Sequence, residues 1–261
     1  HESRKVARKP PQDMAAYELL LAGKIHHHRF TKEDCAKALE LLDRAIALDP
    51  AYAAAHAWKA CVLGQALGRG FLSEPRALFE GAVEAVGTAL RLDENEVEAH
   101  RVQAEIDIEA KRLGQAERNN GRALSLNPND PRLVAQKGEL LTWLGRAEEG
   151  AEWLRLAMRL DPYSAPVWAH LMGRALMMSG RYAEAAEAYL GSSFPRFGYH
   201  ADAAGCFAKL GLAEEAAAQA EAAVRMKPDF TITGYVSGLL YGSEAERERH
   251  RDILTVAPLP P

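Results

Sequence analysis

Residues 97–130 read VEAHRVQAEIDIEAKRLGQAERNNGRALSLNPND, and residues 131–164 read PRLVAQKGELLTWLGRAEEGAEWLRLAMRLDPYS. Each stretch is 34 residues long, and the two share a pattern. In the first, Ala104, Ala116 and Ala123 fall where the two helices of a hairpin approach most closely. In the second, Gly138 takes the first of these contacts and Ala157 the last. The stretch after them carries Trp168, Leu171, Ala185 and Tyr189. Spacings of three and four residues are helical. Large residues on one side of each helix and small ones on the other let ridges settle into grooves.

Outward from this pair the same beat covers most of the chain. AIALDP, ALRLDE, ALSLNP, AMRLDP and AVRMKP each close a helical stretch, at Pro50, Glu94, Pro128, Pro162 and Pro228. Glu94 to Pro128 and Pro128 to Pro162 are each 34 residues, Pro50 to Glu94 is 44, and Pro162 to Pro228 is 66. A helix pair repeated at this period is the signature of a tetratricopeptide array. The expected fold is all-α: a right-handed superhelix, or α-solenoid, of about six helix pairs with a C-terminal capping helix. The pairs run over residues 14–50, 51–94, 95–128, 129–162, 163–196 and 197–228. Residues 1–13 read as a basic linker or remnant, 14–228 as the array, and 229–261 as cap and tail.

Turn chemistry agrees with this phase. Gly145, Gly180 and Gly211 fall between the helices of a pair, where a left-handed residue ends the first helix. Asp-Pro and Asn-Pro end the second, because the residue before proline resists the α region. The insertion GRGFLSEP, residues 68–75, lengthens the second hairpin, with Ser73 placed to cap and Pro75 to start the next helix. Ser192, Ser193 and Pro195 in GSSFPRFG cut the fifth pair short. After Asp229 the pattern changes: TITGYVSGLLYGS is punctuated by glycine and EAERERHRDIL is a charged amphipathic helix. Leu239, Leu240, Ile253 and Leu254 are placed to cover the end of the array, with APLPP as an extended tail.

A net charge of −4 gives no reason to expect nucleic acid. The start HESRKVARKP holds four Lys or Arg against one Glu and reads as a solvated linker. Cys35, Cys61 and Cys206 are widely spaced, with no C-x-x-C pair, and read as buried thiols in a reducing compartment. Nothing resembles a secretory signal, and no apolar run nears the ~20 residues that span a bilayer. The expected location is cytoplasmic, or periplasmic if a membrane span precedes this segment in a parent protein.

Three places carry a further likeness. They are the entry helix in PPQDMAAYELLLAGKIHHHRFTKEDCAKALELLDRAIALDPAYAAAHAW, the lengthened loop of the second hairpin, and the close KPDFTITGYVSGLLYGSEAERERHRDILTVAPLP. Together they resemble the C-terminal tetratricopeptide region of bacterial class III adenylate/guanylate cyclase-type proteins and of related winged-helix regulators. That resemblance implies an accessory region of a signalling protein, its catalytic or DNA-binding domain lying upstream of His1. Neither cyclase metal-binding carboxylates nor a winged-helix segment occur in these residues.

No motif for catalysis stands out: G-x-S-x-G, H-E-x-x-H, a phosphate-binding P-loop and G-x-G-x-x-G are all missing. His26, His27 and His28 are adjacent, and helical neighbours lie ~100° apart, so three in a row cannot converge on one metal. They read as groove or turn residues, and neither metal nor cofactor is expected. His56, His100, His170 and His200 each sit near the start of a pair's first helix and read as packing or rim residues.

First helices line the concave face of such an array. By repeat phase that face holds Lys24, His27, Trp58, Gln65, Arg101, Glu105, Arg132, Gln136, Glu139 and Trp143, with His170 and Met177. Trp and Arg are the residue types most often energetic at interfaces, so Trp58, Arg101, Arg132 and Trp143 are the expected contacts. Leu20 and Ala57 stand where a terminal-carboxylate clamp would need polar residues, which argues against a chaperone tail as ligand. The expected function is a non-catalytic interaction module. Its groove would hold a peptide, a partner protein or another domain of the same polypeptide, with no contact to nucleic acid or membrane. The alternative is a homo-oligomerisation scaffold, in which EAERERHRDIL or the first helix pair docks on a second copy to form a homodimer.

Overall fold

The computed structural model describes residues 13–193 and 195–261; the basic start at residues 1–12 and Phe194 lie outside the described residues. Fourteen helices and no strand occur among them. Twelve form six antiparallel pairs: α1 Met14–His27 with α2 Lys32–Leu48, α3 Ala53–Arg69 with α4 Pro75–Leu92, α5 Val97–Glu109 with α6 Leu113–Leu126, α7 Pro131–Trp143 with α8 Ala147–Leu160, α9 Ala165–Met178 with α10 Tyr182–Leu190, and α11 Phe197–Lys209 with α12 Ala213–Met226. The cap is two helices, α13 Ile232–Gly238 and α14 Glu244–Leu254, where one was expected. Gly234 and Gly238 punctuate the first of them, and the chain leaves α13 in extended backbone at Leu239, φ −71° and ψ 154°.

The helices stop where their chemistry says they should. Asp49, Asp93 and Asp161 each leave the helical region. Their carboxylates accept the backbone N–H two residues on, at 3.1 Å from Ala51, 3.0 Å from Asn95 and 3.1 Å from Tyr163. That Asx turn is why an Asp recurs at this place in the repeat. Inside the pairs Gly145, Gly180 and Gly211 take φ of +81°, +78° and +75°, as the turn requires. In the second hairpin Pro75 does open α4, but the cap expected of Ser73 is not made. Glu74 occupies the capping position with φ +69° and contributes no side-chain bond, so the turn geometry displaces the serine.

The chain divides into two compact units, and the division runs through the third hairpin. Unit 1 comprises residues 1–107 and 118–128, and unit 2 comprises 108–117 and 129–261. The core of unit 1 joins Leu20, Ala38, Leu42, Trp58, Val62, Ala66, Leu78, Val86, Val102 and Ile106. Burial of such side chains, about 1.5–3 kcal/mol for each large one, is what holds the pairs together. In unit 2, Leu133, Leu140, Leu141, Leu154, Met177 and Met178 are fully buried. There α7 and α8 cross at two glycines: a Cβ on Gly138 would lie 2.6 Å from Leu154 Cγ and 2.7 Å from the Gly150 carbonyl oxygen.

The tail is not a free extension. Ala257 and Leu259 are buried, and the Pro260 carbonyl accepts the Ile232 N–H at 2.9 Å, closing residues 232–260 on themselves. Two apolar side chains in the run gave it a surface to pack that its prolines did not reveal.

Candidate functional site

The first helices of unit 1 present one face, built around α3. Trp58, Cys61 and Gln65 lie three and four residues apart, so they form a single stripe. Lys24 of α1 places its ammonium 4.5 Å from the centre of the Trp58 ring, a cation–π contact. His27 and His28 meet the same indole edge-on, at 5.7 and 5.8 Å. The His27 ring approaches the Cys61 thiol at 3.6 Å through Nε2, and Gln65 donates to the His27 carbonyl at 3.3 Å. From α5, Arg101 reaches the Cys61 sulfur at 2.9 Å, Glu98 at 2.9 Å and Glu105 at 3.0 Å.

Six of the ten residues expected on the groove thus meet on this face: Lys24, His27, Trp58, Gln65, Arg101 and Glu105. Its electrostatics are largely settled internally. Burial pulls the Arg101 guanidinium down, but Glu98, Cys61 and Glu105 together hold it well above the ordinary arginine range. Glu105 still exposes about half its side chain, at 54 %, and His28 is exposed. Trp58 is 5 % exposed and His27 7 %, so what the face offers is the Lys24 ammonium over the indole, the Gln65 amide and the outer Glu105 carboxylate. Leu20 and Ala57 are buried in it and contribute no polar group.

The other four residues belong to unit 2. Asp130 caps α7, and its carboxylate holds Arg132 through Nε at 3.2 Å and a terminal nitrogen at 2.9 Å. Gln136 is buried, and Glu139 accepts the Trp143 indole N–H at 3.3 Å. Trp143 is 3 % exposed, its ring between the Tyr241 ring at 4.9 Å and the Arg174 guanidinium at 4.5 Å. Gly242 donates its N–H to the Trp143 carbonyl at 2.9 Å. His170 stacks on Tyr199 at 4.9 Å, and Met177 is fully buried.

A polar network that sequence reading passed over lies beside Trp143. Asp202 of α11 is fully buried; one oxygen meets His250 of α14 at 2.9 Å and the other accepts from the Tyr235 hydroxyl at 3.1 Å. The other ring nitrogen of His250 meets the Tyr241 hydroxyl at 3.0 Å. Arg174 of α9 stands 3.9 Å from Asp202. Burial pulls its guanidinium down, yet Tyr235, Tyr189, Asp202 and Tyr241 leave it well above the ordinary range. Burial also pushes the Tyr189, Tyr199, Tyr235 and Tyr241 hydroxyls up. A signal existed: Arg174 interrupts the apolar run LMGRALMM and Asp202 the small-residue run HADAAG. Isolated charges in such runs are buried and need partners.

The first-helix histidines are structural. His56 and His100 point Nε2 at the carbonyl six residues back, 3.0 Å from Pro50 and 2.9 Å from Glu94. His200 meets Gln219 at 2.7 Å. His26 pairs with Asp34 at 2.6 Å, a contact across the turn between α1 and α2. Among the described residues no group of three His, Cys, Asp or Glu is placed to hold a metal ion. Cys35, Cys61 and Cys206 are buried, and none of them forms a disulfide.

No protein-family model matches the chain. Small glutamine-rich tetratricopeptide repeat-containing protein 2 of Mycosarcoma maydis is 33% identical over 99 residues, which are 37% of this chain and 28% of that protein. The match therefore spans little more than a quarter of the relative. Among solved structures, pilF of Pseudomonas aeruginosa superposes with a TM-score of 0.59 at 20% identity, over 84% of this chain and 94% of its own. PilW, described as a widely conserved type IV pilus biogenesis factor, gives 0.61 at 15% identity over 86% and 99%. The APC/C hetero-tetramer Cut9–Hcn1 gives 0.64 at 13% identity over 92% and 46%. At these identities the likeness is one of fold: an all-α array of tetratricopeptide-type helix pairs.

Proposed function

We propose that the array is a non-catalytic interaction module and that the first-helix face of unit 1 binds a segment of a partner protein. The observation that carries this reading is the convergence of Lys24, His27, Trp58, Gln65, Arg101 and Glu105 from three helices around one indole. Trp58 is 5 % exposed and holds these groups in place from below, and it is the polar groups at its rim that would meet the partner. The Lys24 ammonium suits an acidic residue of the partner and the outer Glu105 carboxylate a basic one. The likeness to cyclase-type and winged-helix regulators supports a role as accessory region of a larger signalling polypeptide. Three buried cysteines outside any disulfide fit a reducing compartment. Among the described residues no helix is long and apolar enough to cross a membrane.

A photo-crosslinking residue at exposed His28, in cells of the source organism, tests the site. It should trap a discrete protein that the same residue at Lys37, on the outer side of α2, does not trap. The paired change Lys24→Glu with Glu105→Lys should abolish the adduct. Equal labelling from both positions would sink the reading.

One observation favours self-association as a second reading. Met14, Tyr17, Leu21 and Ile25 form an apolar stripe along α1 that stays 38–66 % exposed. The alternative docking element, α14, has Ile253 and Leu254 buried against its own chain. Sedimentation over a wide concentration range decides: a dimer that Leu21→Lys dissociates supports pairing through the first helix, and a monomer throughout rejects it.

A further inference from the structure

Among the described residues no helix precedes α1, and its surface shows it. Later first helices have a second helix against them: α2 packs on α3, α8 on α9 and α10 on α11. Among the described residues of α3, α5, α7, α9 and α11, no large apolar side chain is exposed. On α1 four are, Met14, Tyr17, Leu21 and Ile25, while Ala16, Leu20 and Gly23 on its other side are buried. The four fall three and four residues apart, so they form one stripe about three turns long. A helix apolar on two sides calls for a partner on each, and α2 and α3 supply only one.

Charge points to the occupant. Over residues 13–29 every acid lies before Leu21 and every base after it. The spacing is symmetric as well. Glu18 and Lys24 lie three residues to either side of Leu21, Tyr17 and Ile25 four, Met14 and His28 seven, and Asp13 and Arg29 eight. Laid antiparallel on a second α1, with Leu21 on the two-fold axis, each of these residues comes level with its counterpart. The apolar side chains then share the seam, and Asp13 and Glu18 of one copy come level with Arg29 and Lys24 of the other. Glu18 is exposed, and Arg29 leaves 57 % of its side chain exposed beside its Asp34 contact. The two helix dipoles also run opposed. A parallel pairing would set acid level with acid and base with base, which like-charge repulsion disfavours.

We propose that two copies of the chain pair through α1 as an antiparallel two-fold dimer, with Leu21 at the axis and Tyr17 of each copy against Ile25 of the other. This geometry rests on the self-association reading above and specifies it. The contact is isologous, the same patch meeting itself, which is how most homodimers close. α1 has 14 residues and is ~21 Å long. One helix pair of that length falls short of the ~1,200 Å² of a standard interface. The dimer therefore forms at micromolar concentrations, and salt weakens it by screening the end charges. Met14 of the second copy comes level with His28, so each unit 1 face gains a rim residue from the other copy.

Disulfide trapping reads the register. Two cysteines bridge only when their Cα atoms lie within ~7 Å, and Tyr17 and Ile25 stand eight residues, ~12 Å, apart along the helix. A mixture of Tyr17→Cys and Ile25→Cys should therefore trap a covalent dimer under mild oxidation, while each variant alone should not. Leu21→Cys should trap with itself. All three positions are exposed in the single chain, so the substitutions spare the fold. The native chain, whose own three cysteines are buried, is the blank. Sedimentation runs beside it: the native chain should pass from monomer to dimer as concentration rises, and Leu21→Lys should stay monomeric. If Tyr17→Cys and Ile25→Cys each trap with themselves and yield no mixed product, the helices pair in parallel. That overturns the geometry and leaves self-association through the first helix standing. A monomer at every concentration, or a dimer that Leu21→Lys leaves intact, overturns both.

Discussion

Lys111 sits at φ +56° in the turn between α5 and α6, where Gly145, Gly180 and Gly211 take the same left-handed turn in the next three pairs. A side chain in that region costs about 1–2 kcal/mol, partly offset because glycine loses about 0.5–1 kcal/mol more on ordering. Lys111→Gly should therefore raise stability by about 0.5–1 kcal/mol, read as a higher urea midpoint at unchanged slope. Gly138 works in the opposite direction. A methyl there would meet Leu154 and the Gly150 carbonyl below contact distance, so Gly138→Ala should lower stability by about 1–3 kcal/mol. Gly138 was legible because the repeat phase calls for a small residue at that contact. Gly150 was not, since its need comes from Gly138 across the hairpin and leaves no trace in its own neighbourhood. Nor was Lys111, which carries no turn propensity to betray it.

For whole helices, periodicity and capping told most of the story, and long-range seating told the rest. The six pairs fall within a few residues of the places their Asp-Pro, Asn-Pro and Gly signals indicate. Ser243 accepts the Glu246 N–H at 3.3 Å and starts α14, as Ser-x-x-Glu before a helix implies. Ser243→Ala should fray that end by about 1 kcal/mol, seen as faster amide exchange over residues 244–248 while α11 is unchanged. Where α14 lies was invisible to local reading. His250 looks like one more polar residue in EAERERHRDIL, and its partner Asp202 is 48 residues away. The unit 1 face was legible one helix at a time, because Trp58, Cys61 and Gln65 share a stripe. That Lys24 covers the indole and Arg101 reaches the thiol depends on how neighbouring pairs stack, which no single helix records.

At the scale of the molecule, unit 2 stakes its stability on keeping tyrosines neutral. Burial is the main reason the hydroxyls of Tyr189, Tyr199, Tyr235 and Tyr241 are pushed up. An acid whose folded-state value is raised contributes stability that is fully present below its unfolded value. That contribution is lost as pH climbs, because the unfolded chain releases the proton first. The window opens above the ordinary tyrosine value of ~10. Unit 2 should lose protection from amide exchange cooperatively there, and tyrosinate absorbance should rise in the same step; a gradual rise with protection intact would count against it. Synthesis order gives the buried network another consequence. Asp202 leaves the ribosome 33 residues before Tyr235 and 48 before His250. In that interval the nascent carboxylate has Arg174 in reach at 3.9 Å and neither later partner, so the network is complete only once residues 235 and 250 have been made.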